Sequence, residues 1–512
     1  MTAKTKTSLM QRFLNIVERG GNALPHPATL FLLLALLTLV FSFIGHFLGW
    51  QILHPATGEI VKTKNLLSAD GIHFILDTTV KNFTDFAPLG IVLVAMLGIG
   101  IAESSGLVSV AIRLLVLKAP AKMLTFVLVF AGIMSNMASD IGYVLLIPMA
   151  GVIFAAVGRH PIIGMAAAFA GVSGGFSANL FLGTIDPLLA GLSQEAAQII
   201  DPNYTVNPTA NYYFMIVSTF LISLIGTWVT EKIIAPRYAN HNITAGLVNE
   251  KLERLTKLEK KGLLNATLVF IVFLALLLIG SIPEHGILRS PEGSLLHSPL
   301  LRGVVTLLFV IAGTMGIVYG LTVGKFKNDS DIMEGMADSM KTLATYLVLV
   351  FFAAQFVAYF KISNLGIVLA VNGAETLQAA NLNIYVLMIL FILFAATVNM
   401  LMGSASAKWA ILAPVFIPIF MLMGYSPELS QAVFRIGDSV TNIISPMMSF
   451  FALIIAFFQK YDKDSGIGTI ISTMLPYSII FFIAWSLLLI AWIYFRIPLG
   501  PDSPLFYDGA HL

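Results

Sequence analysis

Long apolar runs dominate the chain, and short polar segments separate them. A helix needs about 20 apolar residues to cross the hydrocarbon core of a bilayer. Five runs predict uninterrupted spans, at residues 27–50, 211–234, 262–282, 300–324 and 470–495. Four longer runs contain breaks and predict interrupted spans, at residues 87–117, 161–192, 343–371 and 427–458. Two more, 122–157 and 382–423, are too long for one span and predict re-entrant hairpins with tips at mid-membrane.

Two of these apolar regions share one spacing of prolines and glycines. The order is a proline, a glycine ten residues later, a proline three residues later and a second glycine ten residues after that. The copies are Pro148, Gly158, Pro161 and Gly171, and Pro414, Gly424, Pro427 and Gly437. An Asn-Met pair precedes each copy, at Asn136 and Asn399, and an asparagine with an Xaa-Pro step follows it, at Asn179 with Asp186-Pro187 and at Asn442 with Ser445-Pro446. Matched Gly/Pro-interrupted segments in two halves of a membrane chain indicate a transporter's binding site.

Composition supports the membrane class and excludes several functions. The chain is 57% hydrophobic and 11% charged, with a mean hydropathy of +0.88, which is typical of a polytopic membrane protein. It has no cysteine, which excludes disulfides and thiolate metal sites. It lacks a GxxxxGK[ST] sequence for ATP. Its net charge of +2 comes from residues in short loops, so no nucleic-acid partner is predicted.

The predicted fold class is an all-α polytopic membrane protein with nine transmembrane helices, two re-entrant hairpins, interrupted helices and an inverted-topology repeat. With the N-terminus in the cytoplasm, 20 of the 29 basic residues fall on the cytoplasmic side, in agreement with the positive-inside rule. The predicted location is the bacterial inner membrane. The predicted parts are a cytoplasmic N-terminal segment (1–26), a first repeat half (27–234), a cytoplasmic linker (235–261), an extra span with an outer loop (262–299), a second repeat half (300–497) and an outer C-terminal tail (498–512).

The predicted hairpin tips and the second interrupted region carry the candidate cation ligands. Amide and carboxylate oxygens suit a dehydrated Na⁺, and a helix N-terminus suits a carboxylate. Asn136 and Asn399 stand at the tips, where interhelical hydrogen bonding is the alternative role. Arg435 and Asp438 either neutralise each other at i,i+3 or are freed by unwinding at Gly437, which leaves Asp438 for a cation and Arg435 for an anion. An unpaired Asp438 would also make Asp438→Asn the more stable protein. The assigned cation-binding set is Asn136, Asn179, Asn399, Asp438 and Asn442, with Na⁺ placed at Asn399 and Asp438.

Other polar residues are candidates for substrate contact. Asp186 is the first-half counterpart of Asp438, with a surface turn as the alternative, and Asp140 is similar. Trp409 is placed to stack on an aromatic substrate, or belongs to an interfacial belt. Ser404 and Ser406 offer hydroxyl groups beside it, and Glu103 is interpreted as a structural carboxylate. The assigned substrate-binding set is Asp186, Ser404, Ser406, Trp409, Pro427, Arg435 and Pro446.

Several segments identify a family. They are KNFTDFAPLG, GVIFAAVGRHP, SGGFSANL, GSASAKWAILAPVFIPIFMLMGYSP and FRIGDS. With them the chain resembles the AbgT family, the p-aminobenzoyl-glutamate transporter family, from its N-terminal segment to the final RIPLGP. The resemblance implies a homodimer with nine spans and two hairpins per subunit. It also implies cation-coupled movement of aminobenzoyl-glutamate-like or sulfonamide-like compounds, with a transport site lined by Asp186, Asn399, Ser406, Trp409, Pro427, Arg435, Asp438 and Pro446.

Two classes of function follow. The favoured one is a secondary transporter, without a cofactor, that couples Na⁺ or H⁺ to a small anionic substrate by alternating access. A transporter of another small carboxylate is its variant. The rival is an intramembrane aspartyl protease with Asp186 and Asp438 as a carboxylate dyad, but the GxGD signature fails because Arg435 occupies its first glycine. The chain is therefore predicted not to be an enzyme.

Overall fold

The fold is almost entirely helical. A computed structural model describes residues 25–53, 59–137, 142–238, 254–291, 293–295 and 298–509. Its two strands, β1 (Gln51–Leu53) and β2 (Ile60–Lys62), pair antiparallel with Ile52 opposite Val61. The predicted all-α class is confirmed. Three parts of the sequence predictions lie outside the described residues. They are most of the N-terminal segment, Asp140, and residues 239–253 of the linker.

Nine helices make up the first half. They are α1 (Pro27–Phe47), α2 (Ala69–Thr84), α3 (Ala87–Ser104), α4 (Leu107–Leu117), α5 (Leu124–Ser135), α6 (Ile147–Ala156), α7 (Pro161–Phe169), α8 (Ile185–Ala197) and α9 (Tyr212–Val229). Wider π-helical turns precede α6 (Gly142–Leu146) and follow α7 (Ala170–Gly174) and α9 (Thr230–Ile234). A 3₁₀ turn (Ala121–Met123) precedes α5, and a short helix (Ala235–Tyr238) continues from α9.

The second half repeats this series after one extra helix. Its helices are α10 (Lys257–Ser281), α11 (Val304–Val323), α12 (Asp329–Thr342), α13 (Ala344–Ile362), α14 (Leu365–Ala379), α15 (Ile384–Leu401), α16 (Ala405–Leu422), α17 (Pro427–Asn442), α18 (Phe451–Gln459) and α19 (Ile467–Tyr494). A single turn of helix (Pro299–Arg302) precedes α11. The amphipathic helix α12 stands before the broken pair α13 and α14, as α2 stands before α3 and α4.

Nine helical segments in the described part of the chain are long and apolar enough to cross a membrane. They are 27–47, 69–104, 212–238, 257–281, 304–323, 344–362, 384–401, 405–422 and 467–494. Two of these, α15 and α16, are the arms of the predicted second hairpin. Two of the predicted interrupted spans, 161–192 and 427–458, are each a pair of shorter helices. The multi-pass membrane fold is therefore shown, and the depth of the hairpins stays a prediction.

Parts of the described surface are strongly apolar, while one polar helix is buried. The most apolar 18-residue stretch of α10 has a mean hydropathy of 2.7, yet only 11% of this stretch is buried. By contrast, α17 (PELSQAVFRIGDSVTN) carries glutamate, glutamine, arginine and aspartate, and these side chains are all buried. Polar groups within a membrane are stable when they face other protein groups rather than lipid. This distribution makes the surroundings of α17 the candidate functional region.

The repeated prolines and glycines have matching structural roles. Gly158 and Gly424 have left-handed φ angles of 75° and 86° and end α6 and α16. The residue after each, Arg159 or Tyr425, donates its N–H back to a carbonyl five residues earlier at 2.8 Å, which is the Schellman ending that glycine favours. Three residues after each glycine, a proline starts the next helix at its first position, where no N–H is needed.

The last glycine of each copy lets the chain approach an arm of a predicted hairpin. A Cβ atom on Gly171 would stand 2.2 Å from the carbonyl oxygen of Val129, and one on Gly437 would stand 2.5 Å from that of Ile392. Val129 and Ile392 each precede their tip asparagine by seven residues. Only glycine permits contacts this close. Equivalent positions of the two halves therefore make equivalent contacts, while the inverted relation between the halves stays a prediction.

The four predicted interruptions are present, but one differs in position. The breaks lie at residues 105–106, 175–184, 363–364 and 443–450. The expectation that the chain unwinds at Gly437 is wrong, because α17 is continuous through Gly437 and ends at Asn442. Because Gly437 has no Cβ atom, α17 packs closely against α15 at this position. Arg435 and Asp438 are therefore fixed on one regular helix, and the break follows around Pro446.

Candidate functional site

Two buried ion pairs lie on α17. The guanidinium Nη1 of Arg435 is 2.7 Å from Oδ1 of Asp186, and both side chains are almost fully buried. The Lys408 ammonium pairs with Oδ1 of Asp438, and both are again buried. Arg435 and Asp438 therefore do not neutralise each other, because each has a partner on another helix. Both pairs together are electrically neutral, which lowers the cost of burying four charges.

The pair of Arg435 and Asp186 joins the two halves. Asp186 is in the first turn of α8, and its Oδ2 accepts the backbone N–H of Gly183 at 2.7 Å. The alternative of a surface turn is wrong, since only 1% of Asp186 is exposed. The break before α8 brings this carboxylate beside α17. The Xaa-Pro step at Asp186-Pro187 thus lies at one of the places where the first half contacts the second.

Arg435 keeps unused hydrogen-bonding capacity. Its Nε and Nη2 have no hydrogen-bond partner among the described residues, although the side chain is only 4% exposed. Buried polar groups are normally paired, so an orphaned guanidinium edge needs an explanation. The space beside it, bordered by Ser177, Asn211 and Trp485, is too narrow to hold water. This edge is suited to a planar carboxylate once the surrounding groups move apart.

Asn399 organises the second ion pair. Its Oδ1 accepts a hydrogen bond from the Lys408 ammonium. Its Nδ2 lies 2.7 Å from the carbonyl oxygen of Asp438, 2.9 Å from Thr441 Oγ1 and 2.8 Å from Asn442 Oδ1. Asn442 in turn donates to Asp438 Oδ2 at 3.3 Å. The three predicted cation ligands of the second half, Asn399, Asp438 and Asn442, are therefore brought together.

The first half holds its polar residues in a simpler arrangement. Asn136 donates to the carbonyl oxygen of Val172 at 3.0 Å, just as Asn399 donates to that of Asp438. Val172 and Asp438 each follow the last glycine of their copy. Asn179 accepts the N–H of Phe181 at 3.2 Å. The hydrogen bonds of Asn136 and Asn179 in the described part of the chain go to other residues than those of the second-half cluster.

Trp409 is a core residue of α16. It is fully buried, and its ring stacks on Phe434 with centroids 4.5 Å apart. Its Nε1 donates to Ser193 at 2.9 Å, and Ser193 donates to Gln431 at 2.7 Å. Because Phe434 covers one face, a substrate ring reaches Trp409 only after a rearrangement. The interfacial-belt alternative is wrong, since such a residue would be exposed to lipid.

This hydrogen-bonded chain continues to the loop after α8. Gln431 donates to Asn211 Oδ1 at 2.9 Å, and Asn211 donates to the carbonyl oxygen of Glu428 at 2.9 Å. The hydroxyl of Tyr204 donates to Glu428 Oε2 at 2.9 Å. Burial and the nearby Glu428 carboxylate raise the pKa of Tyr204, so its hydroxyl remains a donor. The chain links α8, α16 and α17 around Trp409.

The remaining predicted residues lie at the edges. Pro427 occupies the first position of α17, after the N-cap Ser426. Pro446 is half-buried in the break after α17, where Ser445 donates to the carbonyl oxygen of Asn399 at 3.1 Å. Ser404 is exposed and Ser406 half-buried, with their hydroxyl oxygens 3.1 Å apart.

An open cavity of about 610 Å³ lies between α12 and the start of α8. It is lined by residues of the first tip (Asn136), the second hairpin (Ser406), the break before α8 (Thr184 and Ile185), α3 (including Glu103) and α12 (including Asp338). Asp186 directly follows Thr184 and Ile185 in the chain. The start of α8 therefore separates this cavity from Arg435.

Lys408 is a candidate site residue that the sequence reasoning did not assign. The sequence does point to Lys408, because Lys408 and Arg435 are the two basic residues in the apolar region 382–458. Charges buried in a membrane protein pair with one another. Asp186 and Asp438 were assigned together with one base, Arg435, so one of the two acids had no assigned partner. Ser193 and Gln431 were also missed, because a polar residue within an apolar helix carries no mark of its partner.

A sodium site fits the ligand types but not their present contacts. Asp438 and Asn399 supply oxygens, which a hard cation prefers. Both Oδ1 atoms, however, contact the Lys408 ammonium. Clusters of three or more His, Cys, Asp or Glu side chains that would hold a metal do not occur among the described residues.

Nearly the whole chain matches a single transporter family. The model for the “AbgT putative transporter family” matches residues 12–507. The chain belongs to the AbgT family. A relative from Escherichia coli K12, the p-aminobenzoyl-glutamate transport protein, is 38% identical over 486 residues, which cover 95% of each chain.

Two solved structures have the same fold. The YdaH transporter of Alcanivorax borkumensis is 48% identical, with a TM-score of 0.89 over 93% of this chain and 100% of that one. MtrF of Neisseria gonorrhoeae is 51% identical, with a TM-score of 0.89 over 96% of this chain and 100% of that one, and is described within a class of antimetabolite efflux pumps. This AbgT-family chain is thus a membrane transporter and not an enzyme.

The geometry also argues against the protease alternative. An aspartyl dyad needs two carboxylates close enough to share a proton. Here Asp186 pairs with Arg435 and Asp438 pairs with Lys408. Each carboxylate is neutralised by its own base, so neither is available as half of a dyad.

Proposed function

We propose that this protein is a cation-coupled secondary transporter that moves p-aminobenzoyl-glutamate-like or sulfonamide-like compounds, in uptake or efflux, by alternating access. The family membership supports the substrate class, because the E. coli relative is named for p-aminobenzoyl-glutamate and the N. gonorrhoeae relative for antimetabolites. The substrate is a small anion, and Arg435 is its anchor.

The observation that carries this proposal is the orphaned edge of the Arg435 guanidinium. Two of its three nitrogens lack partners among the described residues, in a buried position between the two halves. A carboxylate binds such an edge through two parallel hydrogen bonds. The second part of the site is apolar and aromatic, with Trp409 and Phe434 stacked on neighbouring helices. An aromatic amide of glutamate combines these two chemistries in a single molecule.

Access to Arg435 requires movement. The cavity of about 610 Å³ ends at Thr184 and Ile185, while the space beside Arg435 excludes water. A substrate in the cavity reaches Arg435 when the start of α8, with Asp186, moves away from α17. In the proposed cycle the interrupted helices and hairpins form the moving unit, and the long apolar helices form the frame.

The oxygen cluster of Asn399, Asp438 and Asn442 supports a coupling-cation site, with Na⁺ or H⁺ as the ion. Asn136 and Asn179 are the proposed first-half contribution. The protein is proposed to be a homodimer in the bacterial inner membrane with a cytoplasmic N-terminus. The distribution of basic residues supports that orientation, and the family resemblance supports the dimer.

Flux into reconstituted vesicles tests the proposal. Purified protein is reconstituted with imposed Na⁺ or pH gradients, and uptake of labelled p-aminobenzoyl-glutamate and of a sulfonamide is followed. Accumulation against the substrate gradient, driven by one of the two ions, is expected. Flux that equilibrates without dependence on either ion contradicts coupling.

Unlabelled competitors then define the substrate class. If glutamate or another small carboxylate competes as well as the aromatic amide does, the protein transports small carboxylates generally. The aromatic-amide proposal predicts that the complete amide competes better than glutamate or p-aminobenzoate alone.

A further inference from the structure

The buried ammonium of Lys408 stands where a coupling sodium ion would bind. It contacts the Asp438 Oδ1 carboxylate oxygen and the Asn399 Oδ1 amide oxygen, and the side chain is 0% exposed. These are the two oxygens that a sodium ion at Asn399 and Asp438 would need. An ammonium and a sodium ion are both compact monovalent cations, so both cannot contact the same oxygen pair at once.

We propose that Lys408 is a tethered cation that competes with sodium for the oxygens of Asp438 and Asn399, and so determines how strongly this transporter binds the ion. The inference rests on the proposed function only for the location of the cation site. Sodium binds there after the Lys408 ammonium leaves, and the ammonium returns when sodium leaves.

Charge balance gives the first argument. With Lys408 in place, the Lys408–Asp438 pair is neutral, and the Arg435–Asp186 pair is neutral as well. Adding sodium without moving Lys408 leaves a net positive charge in a buried site, which is costly in a membrane protein. Without the ammonium, Asp438 carries an unpaired negative charge, which one sodium ion neutralises.

The comparison of the two halves gives a second, independent argument. The tip asparagines define equivalent positions, because both donate to the carbonyl that follows the last repeated glycine. Between its tip asparagine and the first proline of the repeat, the second half has Lys408, whereas the first half has no lysine or arginine there. At the carbonyl position the second half has Asp438 and the first half has Val172. The base and the acid are thus present together in one half and absent together from the other, as expected of a functional pair.

Thermal stability of the purified protein, without substrate, tests the competition. Melting temperature is recorded against NaCl at constant ionic strength, with choline chloride and KCl as replacements. A ligand that binds the folded state raises the melting temperature by mass action. For Lys408→Leu, the half-maximal NaCl concentration is expected to fall at least about tenfold below that of the unsubstituted protein, or a sodium response appears where that protein shows none.

Three further variants serve as controls. Lys341→Leu removes a lysine from an exposed pair with Asp338 and is expected to leave the sodium response unchanged. The double variant Lys408→Leu/Asp438→Val removes both charges of the pair and is expected to lose all sodium response. Lys408→Gln, whose amide still bonds to Asp438, is the second variant for the case in which Lys408→Leu folds poorly, and it is expected to show a smaller shift in the same direction.

The result that overturns the proposal is a Lys408 variant whose sodium response equals that of the unsubstituted protein or is weaker. Failure of both single variants to fold in every salt also overturns it, because sodium then cannot replace the ammonium. This test needs no flux. A protein that shows the predicted sodium response but no coupled transport contradicts the proposed function and leaves the role of Lys408 intact.

Discussion

Asp438 and Lys408 are both buried, and each provides the charge that the other needs. The sequence alone suggested an unpaired carboxylate, so that its neutralisation would stabilise the protein. That premise is wrong, because removal of one partner from a buried pair leaves the other uncompensated. The buried positions of these two residues make the pair a structural requirement as well as a candidate cation site.

We therefore expect Asp438→Asn to be less stable than the unsubstituted protein, by about 3–5 kcal/mol. Its melting temperature in detergent, recorded without sodium, measures this loss. Asp338→Asn, which breaks an exposed pair with Lys341, is the matched control and should change the stability far less, because water and salt screen an exposed ion pair. An Asp438→Asn protein as stable as the control would mean that Lys408 has another partner.

Arg435→Lys should weaken substrate binding while it keeps the charge opposite Asp186. Lysine loses the planar fork and with it one of two charge-assisted hydrogen bonds, a loss of about 1.5–3 kcal/mol or roughly 10- to 100-fold in affinity. Titration of glutamate, p-aminobenzoate and their amide against both proteins measures this. The loss should be confined to the two ligands that contain glutamate. Equal losses for all three ligands would show that Arg435 does not hold the glutamate part.

The residues of the site were only partly predictable from sequence. Arg435, Asp438, Asp186 and Asn399 are visible because polar residues are rare in apolar runs. Their pairing is not visible, since Lys408 and Asp438 lie 30 positions apart and meet only when α16 packs beside α17. The i,i+3 spacing of Arg435 and Asp438 suggested the wrong pair, because a stronger partner for each lies on another helix.

At the scale of elements, the repeated glycines set the distance between α17 and α15 and between the turn after α7 and α5. Helix ends were predictable because proline and left-handed glycine impose local conformations. The role of Gly437 was not predictable in the same way. Its missing side chain permits close packing, and a glycine in a sequence does not distinguish packing from unwinding.

We expect Gly171→Ala and Gly437→Ala each to lower stability by about 1–3 kcal/mol or more, because the added Cβ overlaps backbone of the neighbouring helix. Gly90→Ala is the matched control. Gly90 lies in α3, and a Cβ added there would have nothing within 4 Å, so alanine should be neutral or stabilise by about 0.5–1 kcal/mol. Melting temperatures of the three variants decide the matter, and an unchanged value for Gly171→Ala or Gly437→Ala would contradict the packing role.

At the scale of the whole molecule, the proposed cycle divides the helices into a moving unit and a frame. The chain has no cysteine, so pairs of introduced cysteines can test this division without background. Two Gly–Val contacts have nearly the same geometry. A Cβ on Gly226 of α9 would be 2.9 Å from Val129 Cγ1 of α5, and one on Gly262 of α10 would be 3.0 Å from Val323 Cγ1 of α11.

Oxidation of Gly226→Cys/Val129→Cys should stop transport, since it ties a hairpin arm to the frame. Oxidation of Gly262→Cys/Val323→Cys should leave transport intact, because both helices belong to the frame. Vesicle flux before oxidation, after oxidation and after reduction measures both effects, and reduction should restore the first variant. Transport that survives the first cross-link would show that α5 and α9 move together.

The ion pair between Asp186 and Arg435 also bears on how long a substrate stays bound. A carrier that clamps an anion with a bare guanidinium would leave an unpaired buried cation each time its cargo departs, and this penalty would slow unloading. Asp186 provides a resident carboxylate to which the guanidinium returns. In the proposed cycle, Asp186 competes with the substrate carboxylate for Arg435, so the substrate binds more weakly and leaves faster. This favours a rapid carrier of modest affinity over a tight binding protein.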